Sequence, residues 1–160
     1  PWLLIGMIGG VLGAEVIGIF DIKANLELAF FIPLIAAMGG NVGVQSAAII
    51  VQGISNDSIK TDNIFQQLIK ELGVALLNGI ICSLIIFIIT IQIGYSQDLS
   101  TAVSLSLIAV IIFAALFGTF IPLALEKYDV DPALATGPFI TTINDIFGLI
   151  IYFIIGQSIL

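Results

Sequence analysis

Histidine and arginine are absent from this 160-residue chain, and four lysines are its only basic side chains. Without histidine there is no imidazole acid–base chemistry and no histidine-ligated zinc. Four scattered lysines cannot build the clustered basic surface that nucleic acid requires. The single cysteine, Cys82, sits in the apolar run "LLNGIICSLIIFIITI" and reads as a packing residue, since it can form no disulfide within the chain. No nucleophile–base pair or carboxylate dyad is visible within one chain, so an enzyme is not expected. Charge of either sign is scarce: 9% of residues are charged and 59% are hydrophobic. Soluble domains run near a quarter charged, so the solvent of this chain is mostly lipid. Its eleven carboxylates leave a net charge of −7, and a small partner drawn by charge is therefore a cation.

A transmembrane helix needs about 20 mostly apolar residues. Five stretches qualify: Trp2 to Phe20, Leu26 to about Ile54, an amphipathic start at "TDNIFQQLIKELG" continuing from Val74 to Ile93, Leu99 to Leu125, and Pro132 to the end. The expectation is an all-α, polytopic membrane protein of five spans, forming one domain over residues 1–160. Capping chemistry marks several ends. Asp62 can cap the third span, Asp98 or Ser100 the fourth, and Asp131 followed by Pro132 suits a first helical turn of the fifth. Lys60, Lys127 and Lys70 fall on one side and Lys23 on the other. The positive-inside rule then places the amino end in the cytoplasm and the carboxyl end outside. The first apolar run lacks a basic flank and a small-residue cleavage site, so it is not read as a signal peptide. A chain beginning at Pro1 is expected to be part of a longer protein.

The second and fifth spans carry the polar residues. In "FFIPLIAAMGGNVGVQSAAIIVQG", Pro33 should kink the helix, and Gly39, Gly40 and Gly43 allow another backbone to come close. At 100° per residue, Asn41, Gln45 and Gln52 fall on one face. Interhelical hydrogen bonding would account for any one amide; a stripe of three beside three glycines points to a polar lining. In "DPALATGPFITTINDIFGLIIYFIIG", Pro138 after Gly137 should interrupt the backbone ladder. Beyond that break Pro138, Thr141, Thr142 and Asp145 share an arc of about 100°. A carboxylate near mid-membrane costs about 2.5–3.5 kcal/mol, and no span interior offers Asp145 a cationic partner. It is expected to face water or a cation. Elsewhere, Gly6, Gly10, Ala14 and Gly18 form a small-residue stripe read as helix packing, within the chain or across a dimer. Glu15 is near enough to the interface to snorkel, Asn78 and Cys82 read as packing, and Lys70 and Glu71 are expected to neutralise each other.

The lining is all oxygen: one carboxylate, threonine hydroxyls, amide carbonyls and backbone carbonyls freed at the prolines. With no thiolate or imidazole, soft metals are poorly served and a hard cation fits. Mg²⁺ holds its waters tightly and is commonly bound through only one or two carboxylates. Two chains on a twofold axis would bring two copies of Asp145 to one pore.

The segments "PLIAAMGGNVGVQSAAIIVQGI", "KELGVALLNGI" and "DPALATGPFITTINDIFGLIIYF" resemble the membrane domain of the MgtE magnesium channels, across essentially the whole chain. The resemblance implies a homodimer with the pore between protomers and Asp145 as the carboxylate that binds hydrated Mg²⁺. It implies a selectivity region formed by Asn41, backbone near Gly40 and the stretch Thr136, Gly137 and Pro138, with Gln45, Thr141, Thr142 and Asn144 among the candidate lining. It also implies a cytosolic regulatory region with paired CBS modules, absent from this stretch, that senses Mg²⁺ as a regulatory ligand, with Asp131 at the cytoplasmic mouth joining a regulatory metal site. Val44 and Gly137 depart from some relatives, which carry asparagine at those positions. Channel-like flux of Mg²⁺ is the leading expectation. A proton- or sodium-coupled carrier using Asp145 and a non-transporting membrane scaffold are the alternatives.

Overall fold

The computed structural model describes residues 2–20, 26–59, 63–135 and 137–160. Its elements are α1 (Trp2–Ile19), α2 (Leu26–Ala29), α3 (Ile32–Ser55), α4 (Ile64–Ile93), α5 (Gln97–Lys127), a 3₁₀ turn (Pro132–Ala135) and α6 (Pro138–Ile159), with no strand among the described residues. Four stretches are long and apolar enough to cross a membrane: residues 26–55 taken together, α4, α5 and α6. The fifth expected span, α1, has 18 residues. It rises about 27 Å, a little less than a hydrocarbon core of about 30 Å. Asp62, Lys23, Lys60 and Thr136 lie outside the described residues.

Pro33 and Pro138 begin helices here instead of bending them. Pro33 sits in the first turn of α3, where its missing N–H costs nothing, so the second apolar stretch breaks at Phe30 and Phe31 instead of kinking. The break leaves carbonyls to satisfy. The Leu28 carbonyl accepts from Phe31 N at 3.2 Å and from the buried Tyr152 hydroxyl of α6 at 2.8 Å. Pro138 likewise opens α6, after Gly137 at φ 53° and ψ −116°, a region that side-chain-bearing residues rarely adopt. The fifth stretch is therefore a short 3₁₀ turn and a separate helix. Asp131 caps the turn as expected of it, Oδ1 accepting from Ala133 N at 2.9 Å. Between α4 and α5 the chain reverses within three residues. Gly94 ends α4 in the left-handed region, and the Ser96 side chain accepts from Leu99 N at 3.2 Å. Ser96, not Asp98 or Ser100, is the cap of α5, because the helix starts earlier than the apolar run does.

Helix α5 is the spine. It packs against α3, α4 and α6, and Leu99, Val103, Leu107, Val110 and Ile111 form its buried seam. Its closest approach is to α3: a Cβ added at Gly118 would collide with the backbone of Gly43. Small residues in membrane helices permit such contact, where dispersion and short-range polar contacts replace the hydrophobic drive. Buried serines supply some of that glue, with Ser83 Oγ donating to the Ser104 carbonyl at 2.8 Å. Pro122 is buried inside α5, which nevertheless runs on to Lys127. Glu71 is not paired with Lys70. Adjacent residues on a helix do not face one another, and the Glu71 carboxylate instead accepts from Ser46 Oγ of α3 at 2.6 Å. Asn78 is exposed rather than packed, while Cys82 lies against the main core.

Gly118→Ala should lower stability by about 1–3 kcal/mol through overpacking against Gly43. Gly73→Ala, at a site with nothing within 4 Å, should cost nothing. Thermal unfolding of both variants in detergent, followed by circular dichroism, checks the pair.

Candidate functional site

The crossing of α3 and α6 depends on a glycine ladder. A Cβ added at Gly39 would stand 3.0 Å from Val110 Cγ1 and 3.7 Å from the Asn144 carbonyl oxygen, and one at Gly43 would collide with the Asn144 carboxamide. Asn144 is consequently 1% exposed and lines neither of the clefts described below, although it was among the expected lining residues. One residue later on α6 the face changes. A methyl group on Gly40 would stand 3.6 Å from Thr141 Cγ2 and 3.7 Å from Asp145 Oδ1, so Gly40 is the point of α3 that the Asp145 carboxylate approaches.

Two clefts meet this region. The larger, about 580 Å³, is lined by Gly40, Asn41, Val44, Gln45 and Ala48 of α3 and by Gly137, Pro138 and Thr141. Six of the residues expected at the site from sequence (Gly40, Asn41, Gln45, Gly137, Pro138 and Thr141) are thus brought to one surface. Gln52 lies on the same exposed face of α3 but not in this lining. The smaller cleft, about 290 Å³, holds Asp145 and Thr142 against Ala36 and the glycine-rich face of α1. The Thr141 hydroxyl is turned back onto its own helix, at 3.1 Å from the Pro138 carbonyl and 3.3 Å from that of Gly137. Asp131 lies outside both clefts, and no group of three or more acidic or thiol side chains gathers among the described residues.

Helix α1 packs within the chain through a different pair of glycines from the expected stripe. The stripe Gly6, Gly10 and Gly18 has open space where a Cβ would be, so it does not pack within the chain. The packing glycines are Gly9, where a Cβ would strike the Thr142 side chain, and Gly13, 3.7 Å from Leu149 Cδ1. Gly6, Gly10 and Ala14 instead wall the cleft opposite Asp145. The i, i+4 spacing of Gly9 and Gly13 was visible in the sequence, but two small-residue stripes on one helix cannot be ranked without a neighbour. Glu15 is exposed on α1.

Between them the two clefts present one carboxylate, two side-chain amides and threonine hydroxyls, with no thiol or imidazole in either lining, a set suited to a hard cation. Fold and lining define the class: a helical, multi-pass membrane protein with two clefts that carry amide, hydroxyl and carboxylate side chains. The family model for MgtE, described as a divalent cation transporter, matches residues 32–155. The chain is 36% identical over 160 residues to the magnesium transporter MgtE of Bacillus subtilis, and 31% identical over 161 residues to that of Thermus thermophilus. The same transporter of Enterococcus faecalis is 31% identical over 159 residues. These matches cover 98–99% of this chain and 35–36% of the relatives, so the chain spans about a third of their length. The chain belongs to the MgtE family.

If the larger cleft is wet, cysteines at Asn41 and Gln45 in a Cys82→Ala background should react with a water-soluble methanethiosulfonate at least about tenfold faster than Leu84→Cys on the lipid-facing side of α4, because the reactive thiolate forms only where water reaches. Equal rates would mean that no water fills the cleft.

Proposed function

We propose that this chain is the ion-conducting membrane part of a magnesium transporter, passing hydrated Mg²⁺ through a pore between two copies, with Asp145 as the ion site. The observation that carries the reading is Asp145 itself: an intramembrane carboxylate with no cationic partner among the described residues, on an open cleft beside Gly40. Holding it there costs about 2.5–3.5 kcal/mol, which a bound cation would offset. Magnesium prefers six octahedral oxygens and sheds water reluctantly. Six waters at about 30 Å³ each occupy about 180 Å³, within the volume of either cleft, so the ion could be held through its hydration shell. The amides of Asn41 and Gln45 would then touch bound water, and one carboxylate from each copy would balance the charge of a divalent ion.

In this reading α1 is the fifth span, the amino end is cytoplasmic and the membrane is a bacterial inner membrane. The names of the relatives support magnesium as the cargo. The length that those relatives have beyond this stretch leaves room for a cytosolic CBS-type regulatory region, to whose metal site Asp131 would contribute when the pore is shut.

Purified chain in liposomes should take up Mg²⁺ saturably, and Asp145→Asn at matched incorporation should reduce uptake to background. In the same preparation, Mg²⁺ at a hundred times its Kd should stabilise the chain by about 2.7 kcal/mol, and Asp145→Asn should lose that stabilisation. Unchanged uptake in the variant would make Asp145 structural and remove the reading.

A further inference from the structure

Helix α4 packs along α5 and along no other helix to a comparable extent, yet one of its side chains reaches α3. Ser46 Oγ donates to Glu71 Oε1 at 2.6 Å, the length that a hydroxyl reaches when its acceptor is a carboxylate. Ser46 is 5% exposed and Glu71 is half-buried. Glu71 stands three residues before Val74, where the apolar part of α4 begins, so a turn outward would bring it to water. It is turned inward instead, against the rotamer freedom that a glutamate loses on being held. We propose that Glu71 is a positioning residue for the larger cleft: by holding Ser46 it fixes the rotation of α3 that presents Gln45 to the ion. The inference rests on the pore reading for what that cleft carries.

The helical phase of α3 gives the tie its effect. Ser46 stands about 100° from Gln45, about 120° from Gln52 and about 140° from Asn41, so drawing Ser46 inward turns the amide stripe outward. From Gly43 on, the buried face of α3 is made of small residues and one isoleucine: Gly43, Ser46, Ala47, Ile50 and Gly53. Dispersion contacts across such a face hold its distance, but they resist rotation weakly because they have no preferred direction. A hydrogen bond has one. Among the described residues, the bond from Ser46 to Glu71 is the one that joins α3 to α4. A second tie lies two turns further on. There the Gly53 carbonyl accepts from the N–H groups of Ser58 and Ile59, each at 3.0 Å, and from Ser58 Oγ at 3.0 Å. Seven residues apart, Ser46 and Gly53 fall within about 20° of one another. The loop and α4 therefore hold the same face of α3, turned away from the cleft.

A modest slip would be enough to matter. On a helix of about 5–6 Å radius including side chains, a rotation of about 30° carries a side-chain tip by about 3 Å, the length of a hydrogen bond. The Gln45 amide, which meets bound water when the ion is held through its hydration shell, would then miss it. Asp145 is carried by α6, so losing the tie should weaken the hold on hydrated Mg²⁺ and leave in place the charge that attracts it.

The test compares Mg²⁺ uptake into liposomes by Ser46→Ala, Glu71→Ala, the double variant and Glu71→Gln, which keeps a carbonyl oxygen where the carboxylate was. Ser46→Ala and Glu71→Ala should each raise KM for Mg²⁺ about fivefold, as expected for one lost hydrogen bond. The double variant should be no worse than either, and Glu71→Gln should stay within about twofold of the parent. A KM raised as much by Glu71→Gln as by Glu71→Ala, with Ser46→Ala silent, would give Glu71 a charge role and overturn the proposal. An unchanged KM in every variant, with thermal stability lowered, would make the bond structural only and overturn it too. A second measurement needs no transport. In a Cys82→Ala background, Gln45→Cys should react with a water-soluble methanethiosulfonate about threefold more slowly once Ser46→Ala is added, and at its original rate with Glu71→Gln. A rate indifferent to Ser46→Ala overturns the positioning of α3. A parent chain that takes up no Mg²⁺ would instead remove the pore reading, with the rotation of α3 still decided by the thiol rates.

Discussion

Three helices meet in this protein at a distance that only glycine allows. Gly118 of α5 lies against the backbone of Gly43, and Gly43 in turn lies against the side chain of Asn144 on α6. In lipid the hydrophobic effect does not press helices together, so packing must be close to be stabilising. The glycine junction meets that condition and also sets the rotation of α6. With Asn144 buried against α3, the next residue is turned about 100° away, and Asp145 faces the cleft at Gly40 and α1. The position of the carboxylate is thus a by-product of how tightly α3, α5 and α6 are packed.

The two helix breaks complete the arrangement. A straight span from Leu26 to Ser55 or from Pro132 to Ile159 would satisfy all its backbone internally and offer an ion nothing but side chains. Breaking the chain just before Pro33 and Pro138 leaves irregular backbone between apolar helices, tolerated in a membrane where it is buried in protein or lines a polar cavity. Both solutions occur here. The break before α3 is sealed by the Tyr152 hydroxyl on the Leu28 carbonyl, and the break before α6 opens onto the larger cleft through Gly137 and Pro138.

Much of the fold was legible because lipid makes strong demands on sequence. Apolar runs of span length marked four spans, three of them with an end within a few residues of the helix end and the last beginning six residues before its helix, at Pro132 instead of Pro138. The candidate lining was legible for the same reason: a polar residue inside an apolar run stands out, and 100° periodicity grouped Asn41 with Gln45 and Thr141 with Asp145. What went astray were pairings between elements. Glu71 looked like the partner of Lys70 and turned out to hold Ser46; Asn144 looked like part of the lining and lies beneath it; Gly6, Gly10 and Gly18 looked like packing, within the chain or across a dimer, and are open within the chain.

Composition and periodicity alone determined that this is a helical membrane chain with one carboxylate, Asp145, set inside its last apolar run and no histidine anywhere, because the cost of burying charge and unpaired backbone in hydrocarbon is paid residue by residue. Only the tertiary structure decided which of two glycine stripes on α1 packs within the chain, that Pro33 and Pro138 begin helices, and that Asp145 faces Gly40 while Asn144 is sealed away. Those outcomes depend on which surfaces meet at van der Waals distance, and that is a property of pairs of helices, which no single stretch of sequence contains.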